Sequence, residues 1–232
     1  MTYINWICIA VFAVDFGLFV TSYIIKNEIL KKISSVFLLP LIVFNPLYFL
    51  FDYIPDSLHC IHISITAFSF FWLFQILMIF NKNALTFILA RLSFLLGTGF
   101  LIYYYRTVFF VYKIPLWLII LSGILLFIII VATEIFSTPK KSKRSLQSRV
   151  LSVITVATTY HLFFCTFIGA IFNRKTNNML LLFGSLLLLF SVIFYLINNA
   201  RLKLKFAKEI RQTAILFSML AISLSNLMIF AS

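Results

Sequence analysis

Long apolar stretches alternate with short polar segments along this chain, and within each stretch there is no strict apolar-polar alternation. A helix needs about 20 mostly apolar residues to cross the hydrocarbon of a bilayer, and eight stretches reach or approach that length. The predicted spans lie at residues 4–25, 34–51, 60–80, 84–105, 114–136, 150–172, 178–198 and 213–231. The pattern therefore predicts an all-α, polytopic membrane protein, with residues 1–232 as a single transmembrane domain.

Composition supports the same class. The chain is 63% hydrophobic and 11% charged, whereas soluble domains carry about 25% charged residues. No loop is long enough for a soluble domain, and a Gly-rich phosphate loop is absent, which argues against direct ATP hydrolysis. The cysteines Cys8, Cys60 and Cys165 form no CxxC pair, so neither a disulfide framework nor a zinc site is indicated. We expect no cofactor.

The basic residues predict an orientation. Of the 19 Lys and Arg residues, fourteen lie at the loops after spans 1, 3, 5 and 7, four lie at the opposite loops, and Arg91 lies within span 4. Because basic loops mark the cytoplasmic side, both termini are expected outside the cytoplasm, in a plasma or inner membrane. The net charge of +13 is thus explained by topology and by anionic lipid headgroups, and we expect no nucleic-acid partner.

Four ionisable residues lie inside predicted spans: Asp15, Arg91, Glu134 and His161. Such groups cost about 2.5 to 3.5 kcal/mol on insertion scales and usually face other helices or water. The favoured interpretation is a structural ion pair of Arg91 with Glu134 or Asp15, and the alternative is a substrate or proton site. His161 is favoured as a helix-helix hydrogen bonder over a catalytic group.

Asp56, His59 and His62 recur every three residues where span 3 begins. In a helix this spacing places them roughly along one side, where a divalent metal could bind. A zinc site needs more well-placed ligands than this, so we favour a solvated surface and predict no metal.

Several segments resemble one known family. Residues 70–80 and 89–105 resemble the third and fourth helices of the YhhN-like lysoplasmalogenases, and Leu39, Pro40 and Leu41 resemble their Pro-Leu element. Residues 184–197 and 223–229 resemble the seventh and eighth helices. The resemblance implies an eight-helix membrane protein that cleaves the vinyl ether of lysoplasmalogens, with a lysophospholipid or lysoplasmalogen and other membrane lipids as partners.

The chain departs from the family motifs at the chemical groups. The family's Gly-Asp, Gly-His and Ser-Asp pairs fall on Phe74 and Gln75, on Gly97 and Thr98, and on Ser191 and Val192. Hydrolysis needs one group that accepts a proton from water and another that stabilises the leaving group, and these substitutions remove both acids and the histidine.

Two alternatives follow from these departures. In one, Asp15, Glu134 and His161 act as catalytic residues from new positions. In the other, which we favour, hydrolase activity is lost or changed. The predicted substrate-binding positions are Arg91, Gln75, Thr98, Ser191 and Asn226.

Two other function classes remain open at this point. One is a noncatalytic membrane protein with a lipid-binding, sensory or scaffold role, which the missing acids favour. The other is a small transporter, which the absence of an inverted repeat and the few Gly or Pro breaks within spans disfavour.

Overall fold

Where its structure is described, the chain is almost entirely helical and contains no strand. The computed structural model describes residues 3–51, 58–80, 83–109, 114–137, 146–173, 175–198, 204 and 207–231. The helices are α1 (Tyr3–Ile24), α2 (Glu28–Phe51), α3 (Leu58–Ile79), α4 (Ala84–Phe109), α5 (Leu116–Ser137), α6 (Leu146–Phe172), α7 (Thr176–Ile197) and α8 (Ala207–Ala231). The predicted all-α class is confirmed.

Five helices are long and apolar enough to cross a membrane, judged on the described residues. The spanning stretches are His62–Ile79, Ala84–Thr107, Leu116–Ser137, Ser148–Phe172 and Thr176–Ile197. In α1, Ala13–Ser22 is a shorter apolar stretch. The chain is therefore a membrane-embedded helical protein, and the number of eight crossings stays a prediction.

Three helices begin several residues before the predicted spans. The spans were expected to start at residues 34, 150 and 213, whereas α2, α6 and α8 begin at Glu28, Leu146 and Ala207. The first turns of these three helices contain charged and polar residues, so a prediction based on apolar length does not include them in a span. A helix can continue beyond hydrocarbon because its hydrogen bonds lie within its own backbone.

A tight turn joins α1 to α2. Lys26 adopts a left-handed conformation with φ 54°, and the Asn27 N–H donates to the Ser22 carbonyl at 3.0 Å, as in a helix C-cap closed by a left-handed residue. The Asn27 Oδ1 then accepts from the N–H groups of Ile29 and Leu30, both at 3.1 Å. Asn27 thus caps α2, a role typical of Asn.

The described residues form two compact units. The first unit comprises Met1–Phe100 with Ser223–Ser232, and the second comprises Leu101–Ile222. In the first unit, α2 packs against both α1 and α3. The helices α3 and α4 meet through the Phe94 ring, which lies 5.4 Å from the Phe71 ring and 5.1 Å from the Phe74 ring between centroids.

In the second unit, α6 packs against both α5 and α7. A buried cluster of Leu118, Tyr160, Phe164, Ile168 and Leu189 joins these three helices. Helix α5 is the most exposed of the five candidate spans, and most of its surface is apolar. That surface is suited to contact with acyl chains.

The second unit also contains a close approach of α7 to α8. A Cβ atom added at Gly184 would lie 2.9 Å from the Ile222 Cγ1 and 3.0 Å from the Ser218 carbonyl oxygen. The Ser218 Oγ donates to the Gly184 carbonyl at 2.7 Å. Small residues thus allow two apolar helices to approach closely, which is how helices associate where water is absent.

Candidate functional site

The predicted site residues are divided between the two units. Asp15, Gln75, Arg91, Thr98 and Asn226 lie in the first unit, and Glu134, His161 and Ser191 lie in the second. The three residues considered as catalytic are therefore not all members of one unit.

Two side chains of α3, Trp72 and Gln75, donate hydrogen bonds to α2 just before its interior Pro40. Pro40 lies inside α2 and has no N–H, so the Val36 carbonyl four residues earlier loses its helical donor. The Trp72 Nε1 donates to that carbonyl at 2.9 Å, and the buried Gln75 Nε2 donates to the neighbouring Ser35 carbonyl at 2.8 Å. The Gln75 Oε1 is enclosed and accepts no hydrogen bond from the described residues.

Arg91 lies at about the same height along the helices as Gln75. It is one turn from Phe94 on α4, and the Phe94 ring contacts Phe74, the residue before Gln75. Arg91 is only 9% exposed, although it lies about 10 Å inside α4, counted from Ala84. Its guanidinium carbon is 4.8 Å from the centroid of the Phe87 ring.

Ser34 and Ser35 complete a polar layer in the first unit, which we define as Ser34, Ser35, Gln75 and Arg91. Both serines are buried, and their hydroxyls donate to carbonyl oxygens of α2, Ser34 to Leu30 at 2.8 Å and Ser35 to Lys31 at 2.5 Å. The layer thus places a buried guanidinium near the height of an unused amide oxygen, inside apolar helices.

Asn226 contacts a different level of α3 from Gln75, and Thr98 lies one turn beyond Phe94 on α4. The Asn226 Nδ2 donates to the Ser64 Oγ at 3.5 Å. The Thr98 hydroxyl donates to the Phe94 carbonyl at 2.8 Å. Ser64 and Gln75 are eleven residues apart on α3, or about 16 Å. Asn226 and Gln75 therefore lie at different levels along α3, and a shared binding site for the predicted positions stays a prediction.

Asp15 is half-buried in α1. Its Oδ2 is enclosed and accepts no hydrogen bond from the described part of the chain. The pairing of Asp15 with Arg91 stays a prediction. Glu134 is half-buried near the end of α5, in the other unit from Arg91.

In the second unit, Tyr160 makes the kind of helix-helix hydrogen bond that was expected of His161. The Tyr160 hydroxyl donates to the Ser122 carbonyl of α5 at 3.0 Å, while the neighbouring His161 is exposed. Ser191 is buried, and its hydroxyl donates to the Leu188 carbonyl of its own helix at 2.7 Å. The sequence contains no signal for Tyr160 because tyrosine is common in apolar spans, whereas an ionisable histidine there is rare and therefore distinctive.

The candidate metal ligands are only partly described. Asp56 lies outside the described residues, as does the side chain of His59, and His62 is exposed. Within the described ranges, no group of three or more His, Cys, Asp or Glu residues could hold a metal ion.

Comparison with known proteins gives no relative: no family model, no curated protein and no solved structure matches this chain.

Proposed function

We propose that this membrane protein binds a single-chain phospholipid, with the phosphate of the lipid at Arg91 and without hydrolysing it. The observation that carries the proposal is the burial of Arg91 within a candidate span, in the polar layer of the first unit. An intramembrane arginine is costly, and such residues commonly mark a substrate or ion site.

The chemistry of the polar layer supports a phosphate ligand. A guanidinium presents parallel N–H donors that match two phosphate oxygens, and it keeps its charge when buried. The unused Gln75 Oε1 could accept a hydrogen bond from a headgroup hydroxyl. The apolar helices around the layer would contact the acyl chain.

The resemblance to the lysoplasmalogenases supports a lysolipid as the ligand, and the departures from their motifs support binding without turnover. Gln75 stands where the family has an acid, and an amide neither takes nor releases a proton near neutral pH. Its Nε2 is also occupied by the Ser35 carbonyl. Gln75 therefore has no role as a base in this proposal.

Replacing Arg91 by alanine should weaken the binding of a 1-acyl lysophospholipid at least about tenfold, because the phosphate loses a charge-assisted partner. Native mass spectrometry of the purified protein in detergent micelles would measure the bound fraction. Arg106→Ala is the matched control, because Arg106 lies in the last turn of the same helix and is exposed. A fatty alcohol of equal chain length should bind the wild type and Arg91→Ala equally.

Equal lysolipid affinity for the wild type and Arg91→Ala would reject the proposed site. The same preparation, given a lysoplasmalogen, should release no aldehyde. Aldehyde release that Asp15→Asn abolishes would instead support the enzymatic alternative, in which Asp15 serves as a base toward water.

The basic loops support a proposed orientation with the loops after α1, α3, α5 and α7 in the cytoplasm. Single cysteines would replace Lys113 and Lys141, which both lie outside the described ranges, in a background without the three native cysteines. A membrane-impermeant maleimide should label position 113 on intact cells and position 141 only after permeabilisation. The reverse pattern would overturn the orientation.

A further inference from the structure

Pro40, the first of two prolines inside α2, and two donors on α3 point to a conformational device. We infer that Trp72 and Gln75 form a clamp on α2. Trp72 replaces the hydrogen bond that Pro40 removes, and Gln75 holds the neighbouring carbonyl, so that the segment 28–39 of α2 is fixed to α3 while the part of α2 beyond Pro40 can pivot. This inference does not depend on lipid binding.

The Trp72 hydrogen bond supplies the donor that the Val36 carbonyl lacks. In a regular helix the N–H of residue 40 would donate to the Val36 carbonyl, but a proline has no N–H and its ring crowds that carbonyl. A buried carbonyl without a donor is rare in folded proteins. The Trp72 indole N–H supplies the donor at 2.9 Å from a different helix, which is how prolines are tolerated inside membrane helices.

The bond from Gln75 makes the attachment directional. Trp72 and Gln75 are three residues apart on α3 and therefore share a face, and their acceptors, Val36 and Ser35, are consecutive carbonyls of α2. Two bonds at 2.8 and 2.9 Å restrict both sliding and rotation of α2 on α3. Gln75 has to be an amide for this, because a carboxylate has no N–H to donate.

The clamp holds only the part of α2 before Pro40. The segment before Pro40 holds the buried Leu38 and Leu39 and receives both bonds from α3. Beyond Pro40 the helix continues without the backbone bond that would have crossed the proline, and such positions are where helices kink. α2 contains a second proline, Pro46, so Pro40 is the first of two positions at which α2 can bend, and it is the one next to the clamp.

A double-mutant cycle on Pro40 and Trp72 tests the clamp, with thermal unfolding of the purified protein in detergent micelles as the measurement. Trp72→Phe should lower Tm by about 3 to 8 °C, because the Val36 carbonyl is left without a donor. In the Pro40→Ala background the same change should lower Tm by less than half as much, because residue 40 then has an N–H. Trp117→Phe is the matched control, because Trp117 is exposed on α5.

Equal Tm losses in the two backgrounds would overturn the inference. If Trp72→Phe alone does not fold, Pro40→Ala should restore the folded protein, and failure to restore it would also count against the clamp. Hydrogen exchange gives a second measure: peptides within 28–41 should exchange faster in Gln75→Glu than in the wild type, while peptides of α6 and α7 keep their rates. Unchanged exchange in 28–41 would exclude a role for Gln75.

Discussion

Replacing Asn178 by aspartate is expected to lower the free energy of unfolding by about 3 to 5 kcal/mol, because it buries a charge beside two carbonyl oxygens. Asn178 is 1% exposed. Its Nδ2 donates to the Asn173 carbonyl at 2.6 Å and to the Gly169 carbonyl at 3.3 Å, which ties the end of α6 to the start of α7. Aspartate has the same shape but no N–H, so both carbonyls would face a carboxylate oxygen. Chemical unfolding in detergent micelles would measure the loss.

The neighbouring Asn177 provides the control for this prediction. Its Oδ1 accepts the N–H of Asn178 at 2.9 Å, so an aspartate there keeps the acceptor. Both residues are buried in the first turn of α7, so charge burial and the helix dipole act at either position, and the two variants differ in the hydrogen bonds that they keep. Asn177→Asp should therefore lower the free energy of unfolding by about 1 to 3 kcal/mol less than Asn178→Asp does. Similar losses for the two variants would show that burial of any charge matters here, rather than the direction of the Asn178 hydrogen bonds.

The fold class could be predicted from the sequence because apolar length alone distinguishes spanning helices from soluble ones. Helix ends could not, because a helix continues into polar turns wherever its backbone bonds are kept. The start of α2 illustrates this: Asn27 caps it seven residues before the predicted span. The turn itself depends on Lys26 in a left-handed conformation, which is uncommon for a lysine and leaves no clear sequence signal.

The candidate site was predicted less completely, for physical reasons that particular residues show. Arg91 was recognisable because a charge inside a span is rare. The roles of Ser35 and Trp72 were not, because their partners are decided by the height at which α2 and α3 pack. Helix packing also places Asn226 beside Ser64, about 16 Å along α3 from Gln75, although both Asn226 and Gln75 were among the predicted binding residues. The relative heights of two helices depend on close contacts between them, and these contacts cannot be deduced from the spacing of residues within one helix.

Helix α4 approaches α3 closely at Gly97, and replacing Gly97 by alanine should lower the free energy of unfolding by about 2 to 3 kcal/mol. An added Cβ would lie 2.9 Å from the Ala67 carbonyl oxygen and 3.1 Å from two atoms of the Phe71 ring. The backbone oxygen cannot rotate away, so the helices must separate and loosen the Phe71 and Phe94 contact. Thermal or chemical unfolding in detergent micelles would measure the effect.

Gly99, two residues further along α4, provides the control for the Gly97 prediction. It is exposed, and an added Cβ would meet nothing within 4 Å. Alanine favours a helix over glycine by about 1 kcal/mol, so Gly99→Ala should leave stability unchanged or raise it slightly. Opposite signs for the two variants are expected because their backbone benefit is the same and only Gly97 has a neighbouring helix in the way. Loss of stability in both would mean that α4 needs glycine flexibility, and a gain in both would mean that α3 and α4 are not in close contact at Ala67.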